Sequence, residues 1–270
     1  MQPGNNLGKK MAIAVGAGLL VFTGLAFFSD IEQVGRALTE FRLAYLPLIL
    51  GFTALNYALR FVKWHYYLGC LDIRLQWPKS VLVFLSGLTM SVTPAKLGEL
   101  FKSYLLKELE GVQISRTVPV VFAERLTDVL GLLALAALSF SALWYGPLPI
   151  ALSAIVIVAL IAVIQSRSLS LRLVGFLARL SCLRGVAGSL YTAYESAHSL
   201  VCPRPLAVAV LLSIVSWGFE CVAFYFVLKG LGVDVPLVVP TFVFSFSSIA
   251  GTLSMIPGGL VAAEGSMTGL

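Results

Sequence analysis

Charge is scarce in this chain: Asp, Glu, Lys and Arg make up 12% of the 270 residues, against 59% hydrophobic ones. So few charges leave no polar shell for a water-soluble domain, which excludes the soluble classes and points to several membrane-crossing helices. Histidine is nearly absent, with His65 and His198 far apart in sequence, so neither a metal site nor a histidine base is expected. The four cysteines, Cys70, Cys182, Cys202 and Cys221, show no CxxC or metal spacing and are expected to be free thiols. HExxH and GxSxG are missing too. No catalytic residue, metal or cofactor is therefore assigned, and carboxylates alone keep an intramembrane enzyme open as the weakest reading. The net charge of +6 does not point to nucleic acid, because the basic residues are scattered between apolar runs and no stacking aromatics alternate with them. Anionic lipid headgroups are the expected acidic partner.

What is there is a series of apolar runs. Lys9 and Lys10 precede an uncharged run of 18 residues, Met11 to Phe28, which reads as an uncleaved first span because it is long for a signal peptide. Asp30 to Arg42 carries Ile31, Val34, Leu38 and Phe41 at helical spacing between charges, as in a short surface helix. A second span is expected over 43–59, closed by Arg60, Lys63, Trp64 and His65, with Trp64, Tyr66 and Tyr67 as headgroup-level anchors. Residues 129–145 and 148–164 predict a helical hairpin about Gly146-Pro147-Leu148-Pro149. An amphipathic cytoplasmic connector is expected over 165–205, carrying Arg167, Arg172, Arg179, Arg184 and Arg204. The longest span, 206–228, contains Glu220. A charge there costs about 2.5–3.5 kcal/mol on insertion scales, so Glu220 must face the bundle, carry a proton or find a partner. A structural and a transport role are both open for it.

Two stretches break this pattern. Val81 to Thr93 is uncharged but only about half the length a span needs, and it ends on Pro94 followed by Lys96, Gly98, Glu99 and Lys102. Phe242 to Ile256 repeats the layout, closing on Pro257, Gly258, Gly259 and Glu264. Aligning the prolines gives a shared Thr-x-Ser-x-x-Pro-x-x-Leu, Thr89 to Leu97 and Thr252 to Leu260. Coincidence between two Ser/Thr-rich stretches is the plain alternative. Broken apolar segments must line a cavity, since lipid leaves irregular backbone unpaired. Between the stretches, Glu124 and Asp128 share a helix face with Arg125 three residues before Asp128. A solvated loop helix and a cavity-lining cluster are both consistent with that spacing.

With a cytoplasmic N-terminus, all Lys and Arg except Arg36, Arg42 and Lys229 fall inside, as positive-inside topology requires. Three spans then separate the two broken segments, which enter from opposite faces. The fold class expected is an all-α, polytopic integral membrane helical bundle in a single domain over 1–270, with inverted, proline-broken re-entrant segments at about 81–107 and 242–270. Two short spans in place of the first dip fit the charges as well. Inverted broken segments are the pattern of a carrier whose site lies near the midplane.

Pro94-Ala95-Lys96-Leu97-Gly98-Glu99, Glu124-Arg125-Leu126-Thr127-Asp128 and Pro257-Gly258-Gly259-Leu260-Val261-Ala262-Ala263-Glu264-Gly265 resemble the three signatures of the flippase-like transmembrane family. That family is typified by the membrane domain of lysylphosphatidylglycerol synthases, and the similarity covers nearly the whole chain. Val261 stands where the family more often has glycine. The resemblance implies a multi-pass inner-membrane protein of bacteria or archaea that moves a phospholipid, anionic or aminoacylated, between leaflets. The lipid path it implies is lined by Pro94, Lys96, Gly98, Glu99, Lys102, Glu124, Arg125, Asp128, Pro257, Gly258, Gly259 and Glu264, to which the span charge Glu220 is added. Lys96 and Arg125 would hold a phosphate. It also implies further spanning helices beyond Leu270. No aminoacyl-transferase domain is recognised in the sequence, so no synthetic activity is expected. The alternative is a non-transporting scaffold that anchors a lipid- or glycan-modifying enzyme, and oligomerisation is left open.

Overall fold

A computed structural model describes residues 39–89, 99–144 and 187–253, together with Gly35, Leu148, Ala151, Leu152 and Ile155. All regular structure among them is helical. A single 3-10 turn, Leu43–Tyr45, leads into α1, Leu46–Cys70; then follow α2, Trp77–Thr89, α3, Phe101–Glu110, α4, Ile114–Trp144, α5, Ala187–Leu200, α6, Pro203–Gly230, and α7, Val238–Leu253. The expected span 11–28, the second arm of the hairpin, most of the connector and residues 254–270 lie outside the described residues.

Proline and glycine set the boundaries. Pro47, Pro78 and Pro203 stand in the first turns of α1, α2 and α6, where a missing N–H has no helical partner to lose. Gly111 ends α3 at φ 68° and Gly232 opens the turn after α6 at φ 81°, left-handed conformations that cost glycine nothing.

Among the described residues three helices are long and apolar enough to cross a membrane: Leu43–Cys70, Ile114–Leu143 and Pro203–Gly230. At 1.5 Å per residue each exceeds the roughly 30 Å of a hydrocarbon core. α1 runs antiparallel to α6. Arg42 N–H donates to the Gly230 carbonyl (2.9 Å) at one end, and Lys63 bonds Ser213 near the other. α1 is also antiparallel to α4, since the Arg116 guanidinium at the head of α4 donates to the Leu71 carbonyl just past the end of α1. α7 folds back along α6 and packs on α4, with Phe242 against Phe140.

Two boundaries differ from expectation. The second span does not stop at Leu59 but continues to Cys70, carrying Arg60 and Lys63 within the helix. Trp64 and Tyr67, expected as anchors facing the headgroups, are fully buried against other side chains. Likewise the Glu124 to Asp128 charges belong to the same unbroken helix as the span that follows them. The physical reason is similar for both: Lys63 and the α4 charges neutralise one another, and Arg60 rests on the Tyr57 and Trp217 rings, so the helices carry them through the interior.

α2 and α3 are each too short to span. They lie side by side and antiparallel, Lys79 at the head of α2 bonding Glu110 at the foot of α3 (2.8 Å), with residues 90–98 between them outside the described set. In lipid there is no hydrophobic drive between helices, so close approach relies on small residues. A Cβ on Gly131 of α4 would come within 2.9 Å of Ser213 Cβ and 3.1 Å of Ile214 N on α6. Gly131→Leu is expected to force that crossing apart, at a cost of about 1–3 kcal/mol. A melting temperature in detergent unchanged from wild type would contradict such close contact.

Candidate functional site

The feature that stands out is a cluster of six charges where α1, α3 and α4 meet. Lys63 Nζ lies 2.5 Å from Asp128 Oδ1 and also donates to Ser213 Oγ at 2.7 Å and, at 3.4 Å, to Thr127 Oγ1. Ser213 in turn donates to Asp128 Oδ1 (3.2 Å), so the hydroxyl bridges the pair. Lys102 Nζ is 2.7 Å from Glu124 Oε2 and 4.0 Å from Glu99 Oε2. It also sits 4.4 Å from the Trp64 ring centroid, a cation–π contact. Arg125 reaches both remaining acids, 3.0 Å to Glu99 Oε2 and 3.5 Å to Asp128 Oδ2.

Local sequence explains the convergence. Glu124 and Asp128 share one face of α4, and Arg125 reaches sideways to Glu99, one turn before Lys102 on α3. The Lys102 stem lies where a Cβ on Gly87 would be. Glycine at that position of α2 lets the lysine pass beneath the helix to Glu124. Lys63, Glu99, Lys102, Glu124 and Asp128 are all at most 3% exposed; the Arg125 side chain is 20% exposed. Three positive and three negative groups cancel formally. Burial at this level is tolerated only by charges so matched.

Of the residues expected to line a path, the structure thus brings together Glu99, Lys102, Glu124, Arg125 and Asp128. The solvated-loop reading of the α4 charges is excluded by their burial. Glu220 stands apart, half-buried on α6 two turns beyond Ser213. Pro94, Lys96, Gly98, Pro257, Gly258, Gly259 and Glu264 lie outside the described residues. Arg125 is already committed to two carboxylates, so it is not a free phosphate ligand. Lys63 and Ser213 were not anticipated. A signal for Lys63 did exist: Asn56, Arg60, Lys63 and Tyr67 recur at helical spacing, one polar stripe running past the expected end of the span. Ser213 had none, being one serine among many.

The chain matches the family described as "Lysylphosphatidylglycerol synthase TM region" over residues 12–270. It belongs to that family. A UPF0104 membrane protein of Methanothermobacter thermautotrophicus is 28% identical over 189 residues, covering 64% of this chain and 57% of that protein. A second UPF0104 membrane protein, from Methanocaldococcus jannaschii, is 26% identical over 183 residues, 64% of this chain and 74% of the relative. The matched region is thus under three-fifths of the length of the first relative. No solved structure matches the chain. Family membership and the spanning helices together make this member of the lysylphosphatidylglycerol synthase TM region family an integral membrane protein.

Removing one partner from a balanced buried set leaves a bare charge, whereas removing an opposite pair does not. Lys63→Met is therefore expected to destabilise the protein by about 3–5 kcal/mol, and Lys63→Met combined with Asp128→Leu by much less. Thermal unfolding of the three proteins in one detergent checks this; a double variant no better than the single one would contradict charge balance as the stabilising principle.

Proposed function

We propose that the protein is a lipid transporter that moves phospholipid headgroups across the inner membrane along a polar route beside α1, α4 and α6, while acyl chains stay in lipid. The observation that carries this reading is the balanced charge cluster inside apolar helices. Ionisable groups at such depth are expensive, and a purely structural core has no need of six of them. Family membership supports it in the same direction.

In this reading the α2–α3 arm is a gate. Two ties fasten it to α4, Arg125 to Glu99 and Lys102 to Glu124. Arg125 has an alternative acceptor in Asp128 on its own helix, so it can release Glu99 without being left unpaired. Both buried Glu99 carboxylate oxygens and Arg125 Nε have no hydrogen-bond partner among the described residues, which leaves this ion pair weaker than a fully bonded one. The gate opens on the side of the bundle carrying Arg74, Lys79, Lys107, Arg116 and Arg204, the cytoplasmic side by the positive-inside rule; Arg42 and Lys229 mark the outer end.

Glu99→Gln and Arg125→Lys are expected to slow translocation at least about tenfold, through weakening of the buried Glu99–Arg125 ion pair that must be remade at each cycle. A leaflet-resolved assay with fluorescent anionic, aminoacylated and polyprenyl lipids in proteoliposomes measures it. Wild-type rates in both variants, or no movement of any lipid by the wild-type protein, would sink the transport reading and favour a non-transporting scaffold.

A further inference from the structure

In the charge cluster every cation is already paired with a carboxylate. Its three closest pairs lie at 2.5, 2.7 and 3.0 Å, so a phosphate entering it would first have to break one. The cation nearby without such a partner is Arg60, one turn before Lys63 on α1. Among the described residues it makes no ion pair. Its guanidinium carbon lies instead 5.6 Å from the centroid of the Tyr57 ring and 5.5 Å from that of Trp217 on α6. Aromatic faces stabilise the charge without consuming its N–H donors.

Glu220 lies three residues beyond Trp217 on α6. Among the described residues no ion pair joins it to Arg60, which lies over the Trp217 ring one turn away along α6. Its Oε2 is buried without a hydrogen-bond partner among the described residues, and so is the indole Nε1 of Trp217. Asn56, on the same stripe of α1, donates to the Ser216 carbonyl at 2.7 Å. Along one seam between α1 and α6 there are thus an unpaired guanidinium, an unpartnered indole N–H and an unpartnered carboxylate oxygen. Unsatisfied polar atoms inside a membrane are costly, so a polar group brought between α1 and α6 would relieve all three.

We infer that Arg60, Trp217 and Glu220 form the headgroup site of the transporter, for a phospholipid whose phosphate is followed by a proton donor, a hydroxyl or an ammonium. Arg60 grips two phosphate oxygens with its planar fork, the Trp217 N–H donates to the phosphate, and Glu220 accepts from the headgroup donor. This rests on the transport reading, deepening it: the six-charge cluster gates, and the α1–α6 seam binds.

The test is lipid retention by the full chain in nanodiscs, read by native mass spectrometry with phosphatidylglycerol, which has headgroup hydroxyls, and phosphatidylmethanol, which has none. Arg60→Gln is expected to weaken phosphatidylglycerol binding at least about tenfold, with Arg60→Lys between it and wild type. Glu220→Met is expected to abolish a preference for phosphatidylglycerol over phosphatidylmethanol. Unchanged binding in Arg60→Gln overturns the site; should that variant fail to fold, an unchanged preference in Glu220→Met overturns it. Equal displacement of the lipid by soluble glycerol phosphate would also overturn it, the ligand then being a free anion. Binding that depends on Arg60 in a protein that moves no lipid keeps the site and removes the transport reading. Transport with Arg60-independent binding does the reverse.

Discussion

Charges buried among apolar helices must cancel locally, and that requirement shapes most of this molecule. It explains why α1 runs on past Leu59: with Asp128 and Ser213 around its ammonium, Lys63 is no longer a stop signal. It explains why α4 stays continuous through Glu124, Arg125 and Asp128. And it fixes the short α2–α3 arm against the long helices, since Glu99 and Lys102 find their closest counter-charges on α4. Each pair taken alone would recover little beyond its desolvation cost. Taken as a set, the pairs select one arrangement, because any slip of a helix leaves an unmatched charge.

Between the charges, packing follows the logic of lipid rather than of water. Side chains such as Leu50, Leu82, Leu138 and Leu211 remain outward and exposed, while serines and glycines occupy the crossings. Ser213, Ser216, Ser245 and Ser247 are all essentially buried. A hydroxyl is small enough for close approach and can turn its hydrogen toward a carbonyl or a carboxylate, as Ser216 does to Ser213 O (3.1 Å).

How much of this could be read from the residues divides along the same line. The helical class, the membrane environment, the family and the span at 206–228, observed as Pro203–Gly230, were legible because apolar runs and motifs are local, although α4 and not α6 is the longest helix among the described residues. The gathering of Glu99, Lys102, Glu124, Arg125 and Asp128 was half legible: the types and motifs were visible, the pairing was not. Lys63 was misplaced because a lysine, a tryptophan and a histidine after an apolar run look like an interface. Only a partner 65 residues away makes that lysine an interior one. Trp64 and Tyr67 went the same way, their amphipathic rings being equally suited to a headgroup layer or to a core beneath a cation. The freedom of Arg60 could not be seen at all, since it depends on which of several acids every other base has taken.

The far end of the α1–α6 pair is fastened differently. There the Arg42 amide bonds the Gly230 carbonyl, the Phe41 ring occupies the space a Cβ on Gly230 would fill, and Tyr45, Phe52 and Phe226 stack in a row. Backbone and rings at that point leave no slack for sliding. Any parting of the two helices has to swing about this fulcrum, as the arms of tweezers do, so that a small rotation there becomes a wider separation at Lys63 and Ser213 than at Tyr57 and Trp217.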